Sequence, residues 1–398
     1  MNFMLNTMYI IKQNHFGGNR KIRLTSGVAC YTYDSDVLDY QGIRKILNFI
    51  SAVHNRFRLA NVPLSIDMGA LKAADKLSIL VFECIIYSLI ADYHHCVKLN
   101  FCMEHTIYTE YIKFSPLKLL GNPTVKNLQA YRRFFLADMQ LKHFRRVINQ
   151  DAAENGELSI VMTDVQMFLQ HQFINHDYSA QLAEVIAELI GNATEHSHTS
   201  CLLDIDFSSE YHKKNPEGTI SQNGKQNEYL GVSVAVISFS NILFEDGLRS
   251  KFGHDQCGDK RYAQVCAAYK QHQKFFSNAY TESDFFRIVA FQDRISGRMG
   301  ETASGGTGLT TLLKSLEKSS DSDCCYLFAG NRIMLFDKNL LDQDENGWIG
   351  FNSKNDFFYN PPAPHILKTC PITLPGVAYN LNFVCKKESE YENCELNF

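Results

Sequence analysis

The sequence predicts an α/β N-terminal domain over residues 1–121, a connecting helix over 122–157 and an α+β two-layer sandwich over 158–398. Three observations predict it. Strand-like runs alternate with a helical run before Gly121, as in a small α/β layer. After Leu158, strands cluster beside long helices without strict alternation, which suits helices segregated to one face of a sheet. A chain of 398 residues, 45% hydrophobic and 21% charged, can build the cores that two or three domains require. The formal net charge of −4 provides no global electrostatic reason for a nucleic-acid or membrane-surface partner.

In chain order, the opening "MNFMLNTMYIIKQNHFGGNRKIRL" is broken by polar residues before an apolar signal region forms, so no signal peptide is expected. The runs "IRLTSGVACYTY", "VPLSIDMGAL" and "HCVKLNFCM" read as strands. Between the last two, "LSILVFECIIYSLIA" (Leu77 to Ala91) contains Glu83 and is short for a bilayer span, so it reads as a buried helix. The twelve cysteines are scattered and form no C-x-x-C, so free thiols in a reducing cytoplasm are expected. Cys102 and His105 form a lone C-x-x-H with no second pair at finger-like spacing, and no zinc site is expected there. From Asn122 to Asn155, near-helical apolar spacing, two Arg-Arg pairs and a closing "ENGE" predict one connecting helix with a solvated basic face. Beyond it, "SCLLDIDFSS", "YLGVSVAVISFS", "CYLFAGNRIMLFDK" and "PGVAYNLNFVC" have strand character.

Two stretches carry chemistry. In "AELIGNATEHSHTS", Glu188 and Asn192 lie four residues apart and project from one helix face, one turn above the other. A carboxylate there can orient a water, and an amide oxygen can hold a magnesium ion that bridges phosphate oxygens. Glu195 and His196 lie two turns on, at the edge of the same site. In "ETASGGTGLTTLLKSLE", Gly305, Gly306 and Gly308 precede a helix with apolar residues Leu309, Leu312, Leu313 and Leu316. Such glycines let the backbone approach a phosphate chain, and the N–H groups of the helix start form an anion site. Lys314 reads as a surface residue, and His94, His95, His171, His176 and His254 have no metal-like spacing.

Together and in this order, the two stretches resemble the GHKL family of ATPases, named for gyrase, the heat-shock chaperone, histidine kinases and the mismatch-repair protein. Glu188, Asn192, Ala193 and His196 match its E-x-x-x-N-A-x-x-H box, and Gly306, Thr307, Gly308 and Leu309 match its G-T-G-L loop. The resemblance spans roughly Ile160 to Cys385 and implies a Bergerat-type ATPase fold binding ATP with Mg2+. It also implies Asn192 as the magnesium ligand, Glu188 as the carboxylate acting on water, and Gly306 and Gly308 as phosphate contacts. The family's D-x-G-x-G after the central strand is absent. Asn241 stands where its adenine-binding aspartate would be expected, and Asp246 is the other candidate. The segment between Gly247 and Gly305, with Arg294, Gly297 and Arg298, occupies the place of a mobile lid.

The stretch from Pro63 to Phe101 resembles the core of STAS-type domains (sulphate transporter and anti-sigma-factor antagonist). Its usual Asp-Ser-Ser/Thr-Gly turn is replaced by Ala73, Ala74, Asp75, Lys76, Leu77 and Ser78, leaving Ser78 as the nearby phosphoacceptor candidate. His143 in "LKHFRRVINQ" lacks the phosphoacceptor context of a sensor kinase. The resemblances together imply a cytoplasmic regulatory ATPase of the anti-sigma-factor, serine-kinase type, acting on a protein partner and capable of homodimerising. That partner would be a STAS-type domain in cis or in trans. The alternatives are a protein serine/threonine kinase acting on such a domain, and an ATP-binding scaffold without turnover.

Overall fold

The computed structural model describes residues 5–16, 22–57, 61–69, 72–101, 114–152, 154–172, 174–197, 199–208, 229–253, 260–295, 308–320 and 325–387. The first part runs α1 (Met8–Gln13), β1 (Arg23–Thr25), β2 (Val28–Thr32), β3 (Val37–Leu38), α2 (Tyr40–Arg56), β4 (Leu64–Gly69), β5 (Lys72–Ala73), α3 (Lys76–Ala91) and β6 (Val97–Phe101). β2, β4 and β6 are parallel, and β1 closes a hairpin on β2 through Ser26 and Gly27, both at positive φ. The β3–β5 pair forms a separate two-stranded ribbon.

The second part runs α4 (Val125–Leu136), β7 (Ala137–Gln140), β8 (His143–Ile148), α5 (Glu157–Gln170), α6 (His176–Ser197), β9 (Cys201–Ser208), β10 (Tyr229–Phe239), α7 (Asp246–Gly253), α8 (Lys260–His272), α9 (Glu282–Val289), α10 (Gly308–Ser319), β11 (Tyr326–Leu335) and β12 (Leu367–Lys386). Its six strands form one antiparallel sheet in the order β11-β12-β10-β9-β8-β7. The chain is thus a mixed α/β structure.

The two faces of the six-stranded sheet have different partners. Val232, Val234 and Val236 of β10 join a core with Leu189 and Ile190 of α6 and Leu312 and Leu313 of α10. The alternate residues Ala235, Ile237 and Phe239 join a second core with Ile43 and Ile46 of α2 and Ile79 and Phe82 of α3. The period of two along the strand therefore sorts one sequence into two cores. α3 lies between the four-stranded and six-stranded sheets, which explains a helix apolar around its whole circumference. Its sequence reading as a buried helix agrees with this placement.

The reading of residues 122–157 as a connecting helix with a solvated basic face is corrected. The helix ends at Leu136, and residues 137–148 form a hairpin that completes the sheet beside β9. The run "HFRRVI" alternates in a strand rather than turning a helix: His143 and Arg145 are buried on one face, while Phe144 faces the other core. Their burial is stabilised by carboxylates that lie about 60 residues away in sequence, a pairing that local spacing cannot reveal.

Candidate functional site

Asn175 precedes α6, and its side-chain oxygen accepts from the N–H groups of Asp177 (2.9 Å) and Tyr178 (3.3 Å). It buries Leu182, Ala183, Val185, Ile186, Leu189, Ile190 and Ala193 among α5, α10 and the sheet. Glu188 is half-buried on this helix, and Asn192, one turn on, is 9% exposed. The Asn192 side-chain nitrogen has no hydrogen-bond partner among the described residues. A buried amide nitrogen without a partner among the described residues is costly.

The helices bearing the two sequence boxes are packed neighbours: α10 lies against α6 and over β12. Gly308 is its first residue and Leu309 turns into the core. Thr310, in the first turn, is 4% exposed, and its hydroxyl also lacks a partner among the described residues. Gly305, Gly306 and Thr307 lie outside the described residues, as do Gly297 and Arg298. Glu195 and His196 continue α6, and their side chains lie outside the description. Lys314 is exposed, as its position predicts.

At the end of β10 the two adenine candidates differ. Asn241 is exposed. Asp246 caps the turn into α7, accepting from the Leu243 N–H at 2.8 Å and lying 4.0 Å from Arg249. Strand alternation instead puts Ser240, buried, on the α6 side with Val234 and Val236. Ser240 N–H donates to the Pro375 carbonyl at 3.1 Å, and Gly376 (φ +111°) permits this approach because a Cβ there would meet the Ser238 carbonyl. The segment assigned to a lid is in large part anchored. Arg287 of α9 bonds Glu245 (2.7 Å) and Asp284 (2.8 Å), and Arg332 of β11 reaches Asp284 at 2.6 Å. Burial opposes ionisation of Asp284, but Arg332 and the Thr281 N–H hold its carboxyl below the ordinary value.

A second constellation, missed at the sequence level, lies on the opposite face of the sheet. Lys76, the first residue of α3, bonds both Asp204 and Asp206 of β9. Arg145 bonds Asp204 and also Glu83 of α3 at 2.7 Å, and His143 bonds Asp138 (2.8 Å) and Asp204 (3.2 Å). The same helix end is tied down twice more: the Leu77 N–H donates to Asn380 of β12 at 3.0 Å, and the Tyr326 hydroxyl donates to Asp75 at 2.8 Å. The signal was present in "LLDIDF", where two aspartates alternate with apolar residues and so share one face of a strand.

His143, Asp204 and Asp206 offer ligand atoms within 4.8 Å of one another, a spacing a divalent ion can span. The Lys76 ammonium already bonds both aspartates, and three cations (Lys76, Arg145, His143) face four carboxylates (Asp138, Asp204, Asp206, Glu83). The arrangement is an ion-pair network, which explains the donor set without a metal. Burial opposes ionisation of Asp204, but Arg145 and Lys76 outweigh it and hold that carboxyl well below its ordinary value.

The network predicts a pH dependence. Burial disfavours the His143 cation, but the Asp204 charge and the Asp138 hydrogen bond outweigh it and raise its pKa to about 9. His54, packed 3.1 Å from His95, goes the other way: burial and the neighbouring imidazole lower it to about 4. A raised histidine stabilises fully below the unfolded value of about 6.5 and loses its contribution as pH rises through 9. A lowered one costs stability as pH falls from about 6.5 towards 4. Denaturant midpoints measured from pH 4 to 10 are therefore expected to fall on both sides of a neutral plateau. In His143→Gln the alkaline limb between pH 7 and 9 should flatten, and an unchanged limb would contradict the assignment.

Among the described residues no helix is long and apolar enough to cross a membrane. Comparison of the chain with protein-family models, with curated proteins and with solved structures returns no match.

Proposed function

We propose that this chain is a nucleotide-dependent regulatory protein that binds and hydrolyses Mg-ATP at a GHKL-type site formed by α6, α10 and the loop preceding α10, on a Bergerat-type sandwich. The observation that carries the reading is the Asn192 side-chain nitrogen, a buried donor without a partner among the described residues, on a side chain one turn from Glu188. Two further features support it: the helices bearing both boxes pack together on one face of an antiparallel sheet, and Thr310 presents a second unsatisfied polar group, a hydroxyl, in the first turn of α10. The donor set of carboxylate, amide and hydroxyl oxygens suits a hard cation and its phosphate ligands.

In this reading the Asn192 side-chain oxygen would hold the magnesium ion, and Glu188 would orient the attacking water and receive its proton. The N–H groups at the start of α10, with Thr310, bind phosphate oxygens. Bound magnesium supplies charge neutralisation on the phosphate chain. Ser240 lies beside the place of the family's adenine-binding aspartate, and its hydroxyl accepts from the Ile242 N–H at 3.0 Å.

Phosphotransfer to the chain's own STAS-like part is the weaker reading. Ser78 is fully buried, and its hydroxyl donates to the Asp75 carbonyl at 2.8 Å inside the capping box of α3. A phosphate there would enter the closed layer between the two sheets. The first part shares a continuous core with the sheet, so its contact in cis is constitutive, and a regulated partner would engage another surface.

The test is calorimetric titration of ATP into the purified protein, with magnesium and then with chelator. Binding that requires magnesium, with steady release of free phosphate and no phosphoprotein, is the expected result. Absence of binding by folded protein refutes the reading.

A further inference from the structure

We propose that His54 and His95 form a two-imidazole site for a transition-metal ion of the Zn2+ or Ni2+ class, independent of the nucleotide reading. The two side chains come from different elements. His54 lies in the last turn of α2, and His95 lies in the turn that leads from α3 into β6. They are 41 residues apart, so no spacing in the sequence marks the pair. The backbone holds the second turn in place: the His95 N–H donates to the Leu89 carbonyl at 2.8 Å, and His94 takes a positive φ of 56°.

The geometry meets three requirements of a metal site. First, the Nε2 atoms of the two rings are 3.1 Å apart. Ligand atoms about 2.0–2.1 Å from one ion are about 2.9–3.4 Å from each other when the angle between them runs from square to tetrahedral, so one ion spans this pair. Second, the His95 tautomer is set. Its Nδ1 lies 2.9 Å from the Val62 carbonyl, and a carbonyl only accepts, so Nδ1 carries the proton and Nε2 keeps a lone pair directed at His54. Ligating histidines are ordinarily oriented by a bond of this kind. Third, both imidazoles stand at or just beyond a helix C-terminus, where the free carbonyl ends favour a cation.

The pair lies just under the surface. His95 is buried and His54 half-buried, with the Tyr93 ring stacked on His54 at 4.7 Å between centroids, while Asn55, His94 and Cys96 beside them are exposed. Without metal the contact is an N–H···N hydrogen bond, donated by His54 Nε2 to His95 Nε2 between rings 12° from coplanar. Uptake of the ion shifts the His54 proton from Nε2 to Nδ1 and tilts both rings towards one point, with no net release of protons. Water fills the remaining coordination positions. Imidazole nitrogen selects Zn2+ or Ni2+ over Mg2+, which prefers oxygen donors such as those of the proposed nucleotide site.

The experiment is calorimetric titration of Ni2+ into the full chain after chelator treatment and without nucleotide, with thermal unfolding of the same samples. Uptake with a raised Tm is expected for the parent. His54→Gln, at a half-exposed position, should weaken that uptake about 100-fold or more, at least the upper end of the range for a residue placed behind a ligand, and remove the rise in Tm. His95→Gln, read in the same way, is the second variant, and Cys96→Ser should change neither measurement. No uptake by the parent overturns the site and leaves the pair as a hydrogen bond. Uptake unchanged in His54→Gln, or lost in Cys96→Ser, places the ion elsewhere and overturns it equally. None of these outcomes bears on Mg-ATP binding.

Discussion

Asn192→Ala is expected to abolish magnesium-dependent nucleotide binding while leaving the fold at least as stable as the parent. The two effects have opposite signs for one physical reason. Alanine has the highest helix propensity, and Asn192 lies well inside α6, so the backbone gains. The amide nitrogen lost is one that has no partner among the described residues, so its removal relieves a desolvation cost of about 1–3 kcal/mol rather than breaking a bond. Against this, the proposed nucleotide site would lose the side chain assigned to magnesium and with it an unpartnered amide donor. A fall in affinity of roughly a hundredfold or more corresponds to about 2.7 kcal/mol. Thermal unfolding and calorimetry on the same preparation check both halves. Intact binding in the variant refutes the site assignment, and destabilisation with unchanged binding would make Asn192 a structural residue.

Lys76→Ala should give the largest loss of stability, about 3–5 kcal/mol. The ammonium bonds Asp204 and Asp206, and both carboxylates are almost fully buried. Removing it leaves their charge uncompensated apart from Arg145 and His143, and it also frees the α3 terminus that closes the first part onto the sheet. Burial already raises the Asp206 carboxyl above its ordinary value despite Lys76. Without the ammonium it should rise further, so the folded variant takes up a proton more readily than the unfolded chain. The loss is therefore expected to shrink as pH falls from 7 towards 5, the reverse of acid destabilisation. Urea midpoints across that interval measure it. A cost below about 1 kcal/mol at pH 7 would mean that the cluster tolerates an open charge, against the burial observed.

Much of the architecture is legible one element at a time. The strongly apolar stretch "YLGVSVAVISFS" and the apolar run from Leu77 to Ala91, with Glu83 inside it, read as a strand and a helix from local pattern. Glu188 and Asn192 share a helix face because of their spacing alone. Where the sequence misleads, the deciding partner is remote. Arg145 reads as solvated because its charge lacks a local counterpart, yet Asp204 and Glu83 lie across the fold. Ser78 reads as a phosphoacceptor candidate at a helix start, and only the packing of α3 beneath the six-stranded sheet removes it from solvent.

The sequence by itself determined the α3 helix, the β9 and β10 strands and which residues of α6 project together, because these depend on contacts within a turn or a pleat. Tertiary structure alone decided that β7 and β8 complete the sheet and that two layers cover its opposite faces. It also decided that Lys76 pairs with two aspartates of another element. Those outcomes depend on burial and on charge pairs between residues distant in sequence, where desolvation is costly enough to require a specific partner and no local pattern names it.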